Sequence, residues 1–458
     1  MAAGAQQAWS ALSADSSLLD RVEYGGPSGG LPARLPVMEL ARATVAVCSL
    51  AAAELGSART GGPVARVFVD DEAVATAFLS DRLVRVDGRA WSAFAPLSRF
   101  WRAADGWVRT HANYPHHRAR LLSCLGVPAD AGDEAVHAVA EVIAGRTARE
   151  VEQSVYAAGG LAVAARSPGE WAGSEQGALI AEQPLVTTAR IGDAPDRVLG
   201  GSALPCAGLR VLDLTRVLAG PVATRTLALL GADVLRIDAP WLPESQEAHN
   251  DTGMGKRSTT LDLGDATGRE VFEALLDEAD VVVTGYRPGA LDRFGLAPEA
   301  LAERRPGLVI AQLSAWGFHG PWHERRGFDS LVQVATGIAE LEGEPKAPGT
   351  LPAQALDHGS GYLLAAGVLR ALTEQRRTGG TRLVRLALAR TAHWLTHELA
   401  PAPGAEEGFD AHRRLTETDS PMGRLRHALP PVSYEGAPAN WARPPGLWGT
   451  DAPVWTGD

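Results

Sequence analysis

Residues 206 to 400 alternate short apolar runs with segments of helical period. LRVLDLT reads as a buried strand, GPVATRTLALLGA as a helix, DVLRID as a strand and STTLDL as another strand. DATGREVFEALLDEA follows as a helix, with a capping box expected from Thr267 to Glu270. VVVTGY and LVIAQLSAW are further strands, and GFDSLVQVATGIAEL is a further helix. Strands separated by helices predict an α/β fold with a Rossmann-like, doubly wound parallel sheet. A ligand is expected beyond the carboxyl ends of its strands.

The pattern differs on either side. From Trp107 to about Leu185 the periodicity is helical, in HHRARLLSCLG, DEAVHAVAEVIAGRTAREVEQSVYAAGG and SPGEWAGSEQGALIAEQ, which predicts a smaller, helix-rich domain. AAGG at 157–160 either closes over a ligand or ends a helix. The last segment is rich in proline and glycine but carries Trp441, Trp448 and Trp455. So many aromatics predict an extended wrap over another part of the protein rather than a disordered tail.

One repeat links the two ends of this pattern. LPVMELARATVAVCSLAAAELGSARTGG, residues 35 to 62, aligns with LPAQALDHGSGYLLAAGVLRALTEQRRTGG when the two RTGG tetrapeptides are matched. Arg59 then meets Arg377, and Glu39 meets Asp357. Both copies place an acid just before an apolar helix that ends at Gly-Gly, and a duplication explains this better than two chance helices with glycine caps.

Composition narrows the function classes. A chain of 458 residues exceeds the usual single core and implies at least two compact units. A net charge of −11 argues against nucleic acid and against a polybasic membrane surface, both of which need basic patches. Cys48, Cys124 and Cys206 are scattered, so neither a zinc site nor a disulfide framework is indicated. No leader pattern or long apolar run occurs, and a cytoplasmic location is expected. Without GxGxxG or a P-loop, neither nicotinamide nor a nucleoside triphosphate is implied. HANYPHHR, residues 111–118, lacks the further ligands a metal needs and reads as a solvated helix start.

Asp357 is the pointed case. On local sequence it is either an N-cap for the helix that follows or a nucleophile. VLDLTRVLAGPVATRTLALLGADVLRID, GKRSTTLDL, DVVVTGYRPGALDRFGL, GFDSLVQVATG and the Asp357 helix with RRTGG resemble, in order and spacing, the class III CoA-transferase family, which also holds the α-methylacyl-CoA racemases. The resemblance covers 206–395; ADGWVRTHANYPHHRARLLSCLG resembles the family's small domain, and the tail resembles its closing segment. The order departs from the family, because a fragment with Glu39 and a small domain come first. The expected division is therefore 1–105 as a truncated first copy of the large domain, 106–205 as the small domain, 206–400 as the Rossmann-like CoA-binding domain and 401–458 as a return segment. The family's interlocked architecture implies either a pseudo-dimer within one chain or a homodimer.

The resemblance implies that Asp357 attacks an acyl-CoA thioester and that CoA moves between it and a carboxylic acid. It implies coenzyme A or acyl-CoA as substrate, with no metal and no nicotinamide. CoA contacts fall on Arg216, Val217, Leu218, Ala219, Leu261, Tyr286, Arg293 and Phe294. Arg293 suits either a phosphate or an adenine face. Lys256 and Arg257 either join that site or only lead into a strand, and Ala239 and Gly264 replace two phosphate contacts. Gly359 and Gly361 are expected to leave room for the thioester, and His358 is expected at the surface. The family's racemases carry a histidine where this chain has Phe328, which removes one of the two titratable groups that racemisation needs. Asp329 is expected to point elsewhere. The alternatives are an α-methylacyl-CoA racemase or epimerase, and a silent acyl-CoA-binding member.

Overall fold

The computed structural model describes residues 3–26, 30–92, 94–344, 346–400 and 409–457. Its largest element is a sheet of seven strands: β1 (Thr187–Gly192), β2 (Arg210–Leu214), β3 (Asp233–Asp238), β4 (Arg257–Thr260), β5 (Val281–Thr284), β6 (Val309–Ser314) and β7 (Thr381–Ala387). The spatial order is β4-β3-β2-β5-β6-β7-β1. The first six are parallel, and β1 pairs antiparallel with β7. From β2 onward this is the 3-2-1-4-5-6 order of doubly wound nucleotide-binding sheets, whose direction reverses between β2 and β5. Alternate side chains serve opposite faces. Val211, Val281 and Val283 join one core, while Leu212, Leu235, Val282 and Ile310 join another with Phe272 and Leu275. Burial on both faces is why these strands read as continuous apolar runs.

Five helices place the site: α1 (Ala3–Ala11), α2 (Val37–Thr60), α3 (Ala219–Leu229), α4 (Asp329–Ala335) and α5 (Ala355–Thr378). The two repeat copies become α2 and α5, each of 24 residues. They pack together in the larger core through Leu40, Val47 and Leu50 on one side and Leu356, Leu363 and Val368 on the other. The glycines of α5 serve that packing rather than a thioester. A Cβ on Gly359 would lie 2.5 Å from Leu40 Cδ2, and one on Gly361 would lie 2.6 Å from the Ala219 carbonyl oxygen. Both spaces are already taken by neighbouring helices.

The smaller α+β body has its own core, including Trp101, Val108, Leu122, Val139, Ile143 and Val155. Three antiparallel strands, Phe100–Arg102, Trp107–Thr110 and Ala162–Ala164, lie beside its helices. After Ala157 the chain turns through Gly159 at φ 75°. Residues 401–408, the start of the expected return segment, lie outside the described residues. Beyond them the tail runs over the large sheet: Thr450 bridges Thr259, Trp455 is buried beside Leu275, and Trp448 Nε1 donates to Asp238.

Two local expectations are corrected. No Thr267–Glu270 box forms, because Asp265 caps the helix by accepting from the N–H groups of Thr267 and Gly268 at 3.0 and 3.2 Å. A carboxylate serving two orphan donors satisfies the helix start two residues earlier. The segment GFDSLVQVATGIAEL is two helices, not one. It breaks at Gly337, φ 87°, where a Cβ would meet the Pro168 nitrogen at 2.5 Å.

Candidate active site

The turn between β2 and α3 lies at the point where the strand order reverses. Val217 there has φ 70°, which a β-branched residue adopts only under constraint. Its neighbours supply the constraint. Glu244 accepts from the Val217 N–H at 3.4 Å and from the Tyr114 hydroxyl at 3.0 Å, and it lies 3.4 Å from Arg236. Arg216 donates to the Leu242 and Pro243 carbonyls and sits over the Tyr114 ring. Nothing in the proline-flanked PWLPES loop marked Glu244 in advance.

A cavity of about 560 Å³ opens at this turn. Arg216, Val217, Leu218 and Ala219 line it, as do Leu261, Tyr286, Arg293 and Phe294. All eight residues expected around CoA therefore border one cavity, together with Asp357. Arg293 is exposed and lies 4.6 Å over the Phe294 ring. Ala239 is also on the wall. Lys256 and Arg257 are not. Lys256 is fully buried, donating to Asp213 and Thr224 at 2.9 and 2.8 Å, and Arg257 pairs with Asp233.

Asp357 is not an N-cap. The helix begins at Ala355 after Gln354, so Asp357 is its third residue, and its own N–H is one of the orphan donors. Asp329 Oδ2 accepts that N–H at 2.9 Å, while Gln333 donates to Asp329 Oδ1. The expectation that Asp329 points away is thus corrected: the turn at Phe328 aims the first carboxylate of α4 at the first turn of α5. Burial and the Asp329 charge, then Asp81, push the Asp357 carboxyl well above its ordinary range. Burial also raises Asp329, to about 6. Two carboxyls held together away from water cannot both ionise easily, and they titrate as a pair. Desolvation and like charge outweigh the helix N-terminus, which alone favours the ionised form by only up to about 1 kcal/mol.

The surrounding imidazoles are buried, contrary to expectation. His358 is fully enclosed and stacks on Phe78, 5.2 Å between ring centres. Residues 280 positions away in sequence cover it, so no local signal announced its burial. In HANYPHHR, His111 and His117 are also buried, and the His111 ring lies flat on Phe328 at 3.8 Å. Burial and Arg109 push His111 down to about 3, so it is neutral at physiological pH. No group of three metal-ligating side chains occurs among the described residues.

A family model described as CoA-transferase family III matches residues 206–434. The chain belongs to this family. Among family III relatives, it is 35% identical over 203 residues to a probable fatty acyl-CoA transferase, Rv3272, of Mycobacterium tuberculosis, covering 41% of this chain and 51% of that one. It is 32% identical over 225 residues to the succinyl-CoA–L-malate CoA-transferase beta subunit of Chloroflexus aurantiacus, covering 44% and 54%. A solved CAIB/BAIF family protein from Brucella suis is 28% identical, with a TM-score of 0.38 over 48% of this chain and 64% of that one. The chain spans about half the length of the curated relatives it matches. Among the described residues no helix is long and apolar enough to cross a membrane.

Proposed function

We propose that this protein moves CoA between an acyl-CoA thioester and a carboxylic acid through covalent intermediates on Asp357. The observation that carries the reading is the position of Asp357. It is the acid at the head of α5, it lines the cavity shared by the eight residues expected around CoA, and it also lines a second, larger cavity.

In this reading CoA binds at the β2–α3 turn with its thioester at Asp357. The ionised carboxylate attacks the thioester carbonyl carbon, the carbon–sulfur bond breaks, and CoA leaves as thiolate. The thiolate attacks the aspartyl carbon of the resulting anhydride, releasing the donor carboxylate and leaving an aspartyl-CoA thioester. The acceptor carboxylate then displaces CoA from the aspartyl carbon, forming a second anhydride, and the thiolate attacks the acceptor acyl carbon and releases the Asp357 carboxylate. Each exchange of one leaving group for another replaces a single difficult step. Asp329 holds the Asp357 backbone in place and controls when its carboxyl ionises. Racemisation is disfavoured because Phe328 does not titrate and the neutral His111 stacked on it is a weak base.

The test is mass spectrometry of the intact protein and its peptides after incubation with a range of acyl-CoAs and a hydroxylamine quench. A hydroxamate on Asp357 is expected. Binding of acyl-CoA with no adduct from any thioester would overturn the reading, and α-proton exchange into deuterated water would favour the racemase instead.

A further inference from the structure

Asp357 is at the meeting point of two cavities of unequal size. The CoA-side cavity measures about 560 Å³ and the second about 1180 Å³. Tyr114, Val217, Leu218, Phe328 and Asp357 border both. The larger cavity is thus the continuation of the smaller one past the carboxylate.

Its far wall comes from residues 84–96, in the part of the chain that precedes the small body. Val84, Val86, Trp91 and Phe94 line it, with Met422 from the tail. Val84 is buried with Met254 and Leu425, and Val86 and Trp91 pack against that cluster. Trp91 Nε1 donates to the Asp81 carbonyl at 3.0 Å, so the indole has no remaining donor to offer a ligand. The hairpin turn at Asp87 and Gly88, φ 50° and 76°, is tied to the tail by two hydrogen bonds of 2.9 Å with Arg424. The wall is pinned from both sides.

Several charged groups on the lining already have partners. Asp251 pairs with Arg225 at 2.8 Å, and Glu244 is held by Arg236 and Tyr114. Arg85 donates to the carbonyls of Arg82 and Val84, and Arg89 is exposed at the rim. No buried cation stands ready for a distal carboxylate among the described residues. Glu244, Gln246, Asn250 and Asp251 line another part of the cavity, so its apolar surface is concentrated on the wall of Val84, Val86, Trp91, Phe94 and Met422. A one- or two-carbon acyl group would leave most of the space to water, and cavities of several hundred Å³ suit ligands of drug-like size.

Resting on the reading of Asp357 as the acyl acceptor, we propose that this chamber receives the acyl part of the substrate, and that the substrate is a large, predominantly apolar acyl-CoA. The gain in affinity comes from burying hydrocarbon against Val86, Trp91, Phe94 and Met422.

Non-reactive thioethers separate this claim from the chemistry. S-dodecyl-CoA is expected to bind the full chain about tenfold or more tightly than S-ethyl-CoA in calorimetry. V86W, which puts an indole into the chamber, is expected to remove most of that ratio; S92W, from an exposed position on the same wall, provides a second variant should the first fail to fold. Equal affinity for the two thioethers, or a ratio that neither variant changes, would overturn the proposal. A dodecyl preference lost in the variants, with no adduct on Asp357 from any acyl-CoA, would remove the transferase reading and leave the chamber as an acyl-binding site.

Discussion

Helices α2 and α5 begin alike and end up in different chemistry. Each has 24 residues, and their N-caps, Pro36 and Gln354, have φ, ψ of −75°, 56° and −76°, 64°. Each carries a buried acid as its third residue, Glu39 or Asp357. Around Glu39 the space is filled. The Gly4 N–H of α1 donates to its carboxylate at 3.3 Å, and Arg42 one turn on is paired with Asp71. Asp357 has the Asp329 carboxyl on its own N–H and lines two cavities. Burial raises both acids, so a shifted carboxyl by itself does not mark a reactive one. Access to a cavity makes the difference.

Five substitutions break or sharpen that contrast. D357A should abolish the acyl adduct and lower the transfer rate by about three orders of magnitude or more, read by quenched mass spectrometry and CoA-ester exchange. Next comes G361A, which drives a methyl group into the Ala219 carbonyl and should cost about 1–3 kcal/mol or more in denaturant unfolding. G359A should cost less, because the Leu40 side chain that it meets can swing aside.

D329N tests the carboxyl pair. Without the neighbouring charge, Asp357 should ionise more readily, moving the acid limb of the kcat/KM profile to lower pH. Stability gives the matching sign. Between the ordinary 3.8 and about 6 the folded protein retains a proton on Asp329 that the unfolded chain has released, so wild-type stability should fall as pH rises through that window. In D329N thermal melts that slope should flatten. The smallest effect is expected from E39A, a loss of about 1 kcal/mol from the unpaired Gly4 N–H, with the adduct on Asp357 intact. Adduct loss in E39A would reverse the roles assigned to the two helices.

The strands were legible because both faces of the parallel sheet are buried, which leaves uninterrupted apolar runs such as VVV at 281–283. The equal lengths of α2 and α5 follow the RTGG match residue for residue. Contacts between distant segments were illegible. His358 is enclosed by Phe78, and Asp329 turns toward Asp357 because α4 and α5 converge, an arrangement no local periodicity encodes. The role of Gly361 likewise depends on how closely α3 approaches. Nor does local sequence reveal that β1, inside the span expected for the small domain, completes the large sheet.

The packing of α2 on α5 joins two copies of one element through a covalent chain. In an assembly of separate subunits, a helix pair of this kind would be governed by mass action, and dilution would pull it apart. Here the connecting polypeptide keeps the partners at a fixed effective concentration, whatever the number of molecules in the cell. The contact between α2 and α5 is therefore intramolecular, and dilution does not separate that pair.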